Sequence, residues 1–249
     1  MPKLSIITIN LNNKAGLEKT INSVLGQSYK DYQFIIIDGG SSDGSKAVLE
    51  HIDNKNTIVI SEKDNGIYDA MNKGINLAKG EYLLFLNSGD SLNVPTTLSE
   101  VFSKEIETDI LYGNMWIEYM EKRELGEMPE NLTPWHFYID TLWHPVSFIK
   151  KKLFENLGPY NENYSIVADY DFFFNAIVVN KARYKHLNII ISSFNTNGIS
   201  SDKKNIDRIN AQRREIQRKY LNKRQLAFFY LRKKITISLP IKIRNIIGK

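Results

Sequence analysis

At 249 residues, 42% hydrophobic and 24% charged, the chain can bury one large core, and a disordered protein is excluded. It has no cysteine, so a disulfide framework, a thiol nucleophile and a thiolate metal site are excluded, and a reducing cytoplasm suits it. The net charge of +5 conceals a division: residues 203–249 hold 15 Lys and Arg against 2 Asp and Glu, a net +13, which leaves 18 against 26, or −8, for residues 1–202. An acidic body therefore carries a basic tail, a charge pattern suited to an anionic membrane, to nucleic acid or simply to solubility.

The chain opens on a strand pattern, Lys3–Ile9, too short and too polar in its continuation for a signal peptide, and no run of 18 apolar residues offers a membrane-spanning helix. Further strands are predicted at Gln33–Ile37, Thr57–Ser61 and Tyr82–Leu86. Between them, Leu17, Ile21, Val24 and Leu25 give Ala15–Leu25 a one-sided helical spacing. Asp43 is placed to cap a helix over Ser45–Ile52, and Ile67, Met71, Ile75 and Ala78 mark another within Gly66–Lys79. Such alternation predicts βαβ units and a mainly parallel open sheet flanked by helices, a Rossmann-like α/β fold.

Two of the apolar strands run into acid-plus-glycine loops: Phe34–Ile37 into DGGSSDGS from Asp38, and Tyr82–Leu86 into Asn87-Ser88-Gly89-Asp90. Each sequence is also a good turn for backbone reasons alone. Two of them, following buried parallel strands, deliver carboxylates to the sheet edge where open α/β folds bind ligands.

Beyond Asp90 the alternation weakens. Asp109–Gly113 predicts a strand that Asn114–Tyr119 extends or replaces with a ribbon, while residues 120–148, with Trp135, His136, Trp143 and His144, show no period. A short basic helix to Leu157, a turn at Gly158-Pro159, a helix Phe172–Asn180 opened by Ala168-Asp169-Tyr170-Asp171, and a strand at Ile189–Ser193 follow. Acids in a first helical turn are also what the helix dipole favours. In the tail, Ile206, Ile209, Ile216 and Tyr220 form an apolar face, with Arg208, Gln212, Glu215 and Lys219 on solvated ones. Leu226–Leu231 then meets Arg232-Lys233-Lys234, and Ile235–Ile247 alternates apolar residues with Lys242 and Arg244. This composition fits a segment lying on anionic lipid, and equally a basic helix packed on the domain.

Taken together, Thr8-Ile9-Asn10, Asp38 in IIIDGGSSDGS, the string DNGIYDAMNKG at 64–74, LFLNSGD ending at Asp90, and Ala168–Asp171 resemble the family 2 glycosyltransferases with an A-type fold. More narrowly, DNGIYDAMNKG and LFLNSGD resemble the bacterial branch that builds colanic acid, capsule and other surface polysaccharides, lipopolysaccharide among them. The resemblance is dense over residues 3–92, thinner to about 200, and absent from the tail. It implies a glycosyltransferase domain over 1–200, with a nucleotide-sugar half at 1–92, an acceptor half at 93–200 and a basic extension at 201–249. It also implies an inverting transfer from a nucleoside-diphosphate sugar, a UDP-sugar, to a saccharide or lipid-linked acceptor. The setting implied is cytoplasmic, peripheral on the inner face of the cell membrane.

The resemblance assigns Thr8, Asn10, Asp38, Asp64, Asn65, Gly66, Asn72, Lys73, Asn87, Ser88 and Asp90 to the nucleotide sugar, Asp169 as general base and Asp171 as its helper or an acceptor contact, while His144, beside Trp143 and Pro145, is either an acceptor or diphosphate contact or a packed residue. Where most members carry Asp-x-Asp for Mg²⁺ or Mn²⁺, this chain has Asn87 and Gly89, which leaves two readings: Asp90 is the anionic metal ligand, or the motif binds ribose and sugar hydroxyls while Lys, His or backbone N–H donors meet the charge on the leaving group. Nucleotidyl transfer is the alternative chemistry, but Asn10–Lys14 lacks the glycine-rich basic loop it uses. A non-catalytic nucleotide-sugar binder also remains open. Nucleic-acid binding would rest on the tail alone, and the sequence does not decide between a monomer and a homo-oligomer.

Overall fold

In the computed structural model, which describes residues 1–103 and 107–238, the buried runs of the sequence become the centre of one sheet. The strands are β1 (Leu4–Asn10), β2 (Tyr32–Asp38), β3 (Thr57–Ser61), β4 (Tyr82–Phe85), β5 (Ser91–Leu92), β6 (Ile110–Glu118), β7 (Arg123–Gly126), β8 (Ser147–Lys150) and β9 (Tyr184–Asn195). Their order is β3-β2-β1-β4-β8-β6-β9-β5, with β7 paired to the far end of β6. All seven residues of β2 are buried, as expected of a parallel strand covered on both faces, whereas β3 at the edge is half-exposed.

The expected parallel pairing holds for β3, β2, β1 and β4 and returns between β6 and β9. Elsewhere the sheet is mixed, because β8 enters antiparallel between β4 and β6, and β5 and β7 also pair antiparallel. The unassigned stretch before residue 148 thus ends in a strand that caps the apolar edge of β4.

The helices are α1 (Lys14–Leu25), α2 (Ser45–Glu50), α3 (Ile67–Leu77), α4 (Thr97–Val101), α5 (Pro134–Ile139), α6 (Lys151–Leu157), α7 (Ala168–Phe173), α8 (Ile206–Tyr220) and α9 (Lys223–Lys233). Leu17, Ile21 and Val24 of α1 are buried on the sheet, so its apolar spacing is its packing face. Asp43 accepts the Ser45 N–H as expected, but α2 stops at Glu50, short of Ile52, and its preceding residue is Gly44 at φ +93. The helix expected over Phe172–Asn180 begins earlier, at Ala168, and passes into a π-helical turn over Phe174–Val179.

The tail packs on the domain through α8, with Ile216 and Gln217 buried. Here two expectations are corrected. Of the four side chains expected in solvent, Arg208, Glu215 and Lys219 are exposed, Glu215 accepting from Tyr164 at 3.1 Å and Lys219 pairing with Asp171 at 3.1 Å, but Gln212 is half-buried and donates to Ser165 Oγ at 3.2 Å. Ile206, expected on the packed face, is exposed. Helical period locates a face but not the polar partners a neighbouring surface offers it. The expected alternation over Ile235–Ile247, with Lys242 and Arg244, lies largely outside the described residues.

Candidate active site

The parallel register places Asn10 directly beside Asp38 at the C-terminal ends of β1 and β2. Asn10 Nδ2 donates to Asp38 Oδ1 at 2.8 Å, Ser41 Oγ donates to the same oxygen, and Ser41 N–H and Ser61 Oγ donate to Oδ2 at 3.0 and 2.7 Å. Burial alone would raise the Asp38 pKa, but these donors outweigh it and hold the carboxyl below its ordinary value. Asp38 is fully enclosed and organises the loop after β2. Thr8 is likewise enclosed, donating to the Leu86 carbonyl at 2.7 Å and so pinning β1 to the end of β4. Asn10 Oδ1, by contrast, is buried with no hydrogen-bond partner, an acceptor that a ligand N–H would satisfy.

Backbone bonds continue β1–β4 pairing past the strand, from Leu86 N to Ile7 O and from Ser88 N to Ile9 O. The loop Asn87–Asp90 is then clamped by α1. Asn13 Nδ2 donates to the Ser88 carbonyl at 3.0 Å, Gly89 N–H to the Gly16 carbonyl at 3.1 Å, and Thr20 Oγ1 to the Asp90 carbonyl at 2.6 Å. Gly89 takes φ +105, which a residue with a Cβ rarely adopts. Asp90 itself is buried, and Asn195 N–H, at the end of β9, donates to its Oδ1 at 3.0 Å. Burial raises the Asp90 pKa to about 6, against the lowering by the Asn195 bond and by His144 and Lys19.

The loop after β3 adjoins the same edge. Lys73 lies 2.9 Å from Glu62, 2.8 Å from Asp64 and 3.4 Å from Asp69, and its hydrogen bonds to Asp64 and Glu62 raise its pKa. Asn65 N–H donates to Asp69 at 2.8 Å, and Gly66 opens α3 at φ +136. Asn72 points elsewhere: its amide bonds to the backbone of Tyr160 in both directions and to Glu162, tying α3 to the loop before α7.

A second cluster forms where α7 and the segment before β8 meet the loop after β4. Asp169, in the first turn of α7, accepts from Tyr68 Oη at 2.9 Å and from Tyr170 N–H through Oδ1, while Oδ2 lies 3.1 Å from His144 Nδ1. His144 Nε2 in turn lies 3.2 Å from Asn87 Nδ2. The consistent tautomer carries its proton on Nδ1 toward Asp169 and accepts from Asn87 at Nε2. A carboxylate, an imidazole and the loop after β4 are thus joined in one chain of contacts. Burial, reinforced by Asp169, raises the Tyr68 pKa well above its usual value, so this phenol is a donor. Asp171, two residues on, faces away from this cluster into its pair with Lys219.

Asn13, Thr20, Ser41, Ser61, Tyr68 and Asn195 therefore hold or complete the site without standing out in the sequence. Only Ser41, in DGGSSDGS, and Tyr68, in DNGIYDAMNKG, lay inside distinctive strings.

With this geometry in place the comparisons decide the family. The model for "Glycosyl transferase family 2" matches residues 5–156, more than half the chain. The chain is a family 2 glycosyltransferase. Relatives of this glycosyltransferase include the PGL/p-HBAD biosynthesis glycosyltransferase of Mycobacterium bovis, 33% identical over 207 residues, covering 79% of this chain and 78% of that protein. A putative teichuronic acid biosynthesis glycosyltransferase, TuaG of Bacillus subtilis, is 38% identical over 92 residues, 36% of each chain.

Among solved structures, S. aureus TarS in complex with UDP superposes with a TM-score of 0.65 at 20% identity, covering 78% of this chain and 60% of that one, so the glycosyltransferase spans well under two thirds of that protein. The mannosyltransferase PcManGT of Pyrobaculum calidifontis, in complex with GDP-Man and Mn²⁺, gives 0.62 at 14% identity, with 83% and 61% covered. At these identities both establish the fold, a mixed sheet flanked by helices. The enzyme class, glycosyl transfer, follows from the family; a link to colanic acid in particular finds no support in these relatives.

Family membership and the Mn²⁺ of that neighbour point toward a divalent cation, so the residues must be tested for one. Among the described residues, no three His, Asp, Glu or Cys side chains converge as a metal site. Asp90 is the loop's one carboxylate and is turned onto Asn195, while Asn87, at the place of the first aspartate, is engaged with His144. This donor set does not fit a hard cation that wants near-octahedral oxygen ligands, and no step below is routed through one.

Proposed function

We propose that this family 2 enzyme transfers a glycosyl group, with inversion, from a UDP-sugar to a saccharide or lipid-linked acceptor during assembly of a bacterial surface polysaccharide, with Asp169 as the base. The observation that carries this reading is the convergence of Asp169 with His144 and Asn87. The carboxylate lies at the edge where a nucleotide sugar would be held, yet on an element of the other half of the chain. Inversion requires such a carboxylate opposite the leaving group, within hydrogen-bond reach of the attacking hydroxyl. Oδ1 of Asp169 already accepts from Tyr68 and Tyr170, whereas Oδ2 accepts from His144 alone and keeps a lone pair for the acceptor proton.

The unpartnered Asn10 Oδ1 supports base recognition beside Asp38, since a buried acceptor without a donor costs about 1–3 kcal/mol that a pyrimidine or purine N–H would offset. TarS has been solved with UDP and with UDP-GlcNAc, and PcManGT with GDP-Man, which supports a nucleoside diphosphate sugar as donor, with uridine as the nucleoside we propose. No helix among the described residues is long and apolar enough to cross a membrane, and the enzyme would reach a lipid-linked acceptor through its basic tail, on the cytoplasmic face.

The test is incubation of purified enzyme with UDP- and GDP-sugars, following release of the nucleoside diphosphate. Asp169→Asn should lower kcat by roughly 10² or more, the usual cost of losing a general base, with an unchanged melting temperature. Retention of more than about a tenth of turnover would move the base elsewhere. Release of pyrophosphate from a nucleoside triphosphate would instead favour nucleotidyl transfer.

A further inference from the structure

Where the segment after β7 runs over β6 and β9, an open cleft of about 380 Å³ is lined by Asn114, Glu127, Met128, Pro129, His186 and Asn188. Its volume suits a small molecule. Resting on the sugar-transfer reading, we propose that this cleft is a saccharide subsite, holding a unit of the acceptor chain apart from the unit that receives the new sugar.

An irregularity in the sheet makes the cleft. From the Tyr112–His186 pair to the Asn114–Ile190 pair, β6 advances two residues while β9 advances four, so Leu187–Ile189 bulge and Asn188 stands out of the ladder. Gly113 lets the strands close up beside the bulge, since a Cβ there would sit 2.7 Å from the Ile189 carbonyl oxygen. Tyr112 fixes the rim: its hydroxyl lies 2.7 Å from the Pro129 carbonyl and 3.1 Å from that of Glu130, and its ring lies 5.2 Å from the His186 ring.

The polar groups are oriented and unspent. Asn114 is 5% exposed, and Met128 N–H donates to its Oδ1 at 3.0 Å, which fixes which way the amide points. His186 Nε2 lies 3.1 Å from the same oxygen and so carries the ring's proton. Burial lowers the His186 pKa against the pull of Glu130 and Glu127, which keeps the ring neutral. Asn114 Nδ2 as donor and His186 Nδ1 as acceptor are left without partners among the described residues, as are the exposed side chains of Glu127 and Asn188.

A sugar hydroxyl both donates and accepts, so a chain of hydroxyls matches two amides, an imidazole nitrogen and a carboxylate beside the apolar Met128 and Pro129. No Lys or Arg lines the cleft to hold a phosphate, and among the described residues no three metal ligands converge. The route to the reaction centre is short. Glu127 follows Gly126, where a Cβ would lie 3.0 Å from the Trp143 ring, and Trp143 precedes His144, which contacts Asp169. The Trp143 ring thus packs on the Gly126 backbone between the cleft and the base.

The experiment is amide and indole NMR of the full chain, titrated with methyl glycosides of glucose, galactose, mannose and N-acetylglucosamine, and with the trisaccharide of each. Inorganic phosphate and UDP are titrated into separate samples. At least one glycoside should shift the Asn114 side-chain amide, and its trisaccharide should also move the Trp143 indole N–H. Glu127→Ala with Asn188→Ala, both at exposed positions, should weaken that binding roughly tenfold, the scale of two hydrogen bonds, with the backbone spectrum elsewhere unchanged. Silence toward every glycoside, phosphate bound at the cleft instead, or an affinity unchanged in the double variant overturns the subsite. An indole unmoved by the trisaccharide overturns its place on the acceptor's path. Glycoside binding needs no nucleotide, so a cleft that binds sugar in a protein that ignores UDP upholds the subsite while the donor reading falls, and UDP binding beside a silent cleft does the reverse.

Discussion

Tyr68 and Asp169 stand 101 residues apart in the chain, yet the Tyr68 hydroxyl lies 2.9 Å from Asp169 Oδ1 and 2.6 Å from the Ile166 carbonyl. The phenol of α3 thereby fixes both the approach to α7 and the rotamer of the carboxylate in its first turn. Tyr68→Phe removes that donor while keeping the ring. It should cost about 1 kcal/mol of stability, the scale of one hydrogen bond, and lower kcat several-fold without the collapse expected of Asp169→Asn. Chemical denaturation and steady-state kinetics on the same preparation check both figures; a kcat equal to wild type would show that His144 and the Tyr170 N–H orient Asp169 without the phenol.

Asp90 sets a pH dependence of folding. Its carboxyl is held near pKa 6 by burial, above the ordinary 3.8, so between those values the native state binds more protons than the unfolded one. Stability then falls as pH rises through that window, and the buried charge weighs against the fold above it. Asp90→Asn keeps an oxygen for Asn195 N–H and removes the charge. The variant should be more stable than wild type at pH 7, by at most about 2–3 kcal/mol, and the gap should close as pH falls below 4. Urea melts of the ligand-free protein across pH 4–7.5 measure it.

The Lys219–Asp171 pair joins the tail to α7, the helix that carries Asp169. Asp171 is buried and Lys219 about half-exposed, so solvent weakens the pair but its loss strands a carboxylate. Lys219→Met should lower stability by about 1 kcal/mol and Asp171→Asn with Lys219→Met together by less than the sum, a coupling that a double-mutant cycle reads directly. Additive effects would mean that α8 holds to the body through its other contacts, Ile216, Gln217, Gln212 and Glu215 among them, without help from this pair.

In α9, Phe229 packs between Trp135 and Tyr138, and Arg232 lies over the Trp135 ring at 4.4 Å. The opposite side carries Phe228, Leu231 and Ile235, all exposed, beside Lys223, Arg224 and Lys234, and the helix has no acidic residue. Phe228→Ser with Leu231→Ser leaves the packed side untouched and should abolish co-sedimentation with anionic vesicles, while wild type binds these in preference to zwitterionic ones. Equal sedimentation of variant and wild type would remove the membrane from the proposal. Truncating the whole tail is the poorer test, since it strips Ile216 and Gln217 from the domain.

The sheet's first half was legible because β1, β2 and β4 are rich in apolar and β-branched residues and end in polar loops, and parallel pairing then forces Asn10 beside Asp38. Legibility failed where partners are distant. Nothing near Asn72 announces that its amide is committed to Tyr160, and nothing in Asp38 reveals the four donors that enclose it. The short antiparallel β8 escaped notice because four residues show no period, and its neighbour His144, resting on Asp169 and Asn87, could be placed only once the sheet order was known. The substitutions at Asn87 and Gly89 were plain from the sequence; that the gap is faced by an imidazole was not.

Asp90 receives its backbone donor from Asn195, 105 residues later, and the apolar edge of β4 is covered by β8, made some sixty residues after it. A ribosome therefore releases the first ninety residues before either partner exists, with Tyr82–Phe85 presenting a bare strand edge that another chain can pair with. Completion of the loop at Asp90 has to wait for the end of β9. Slow or interrupted synthesis between residues 90 and 195 would yield aggregates rather than a small, folded fragment.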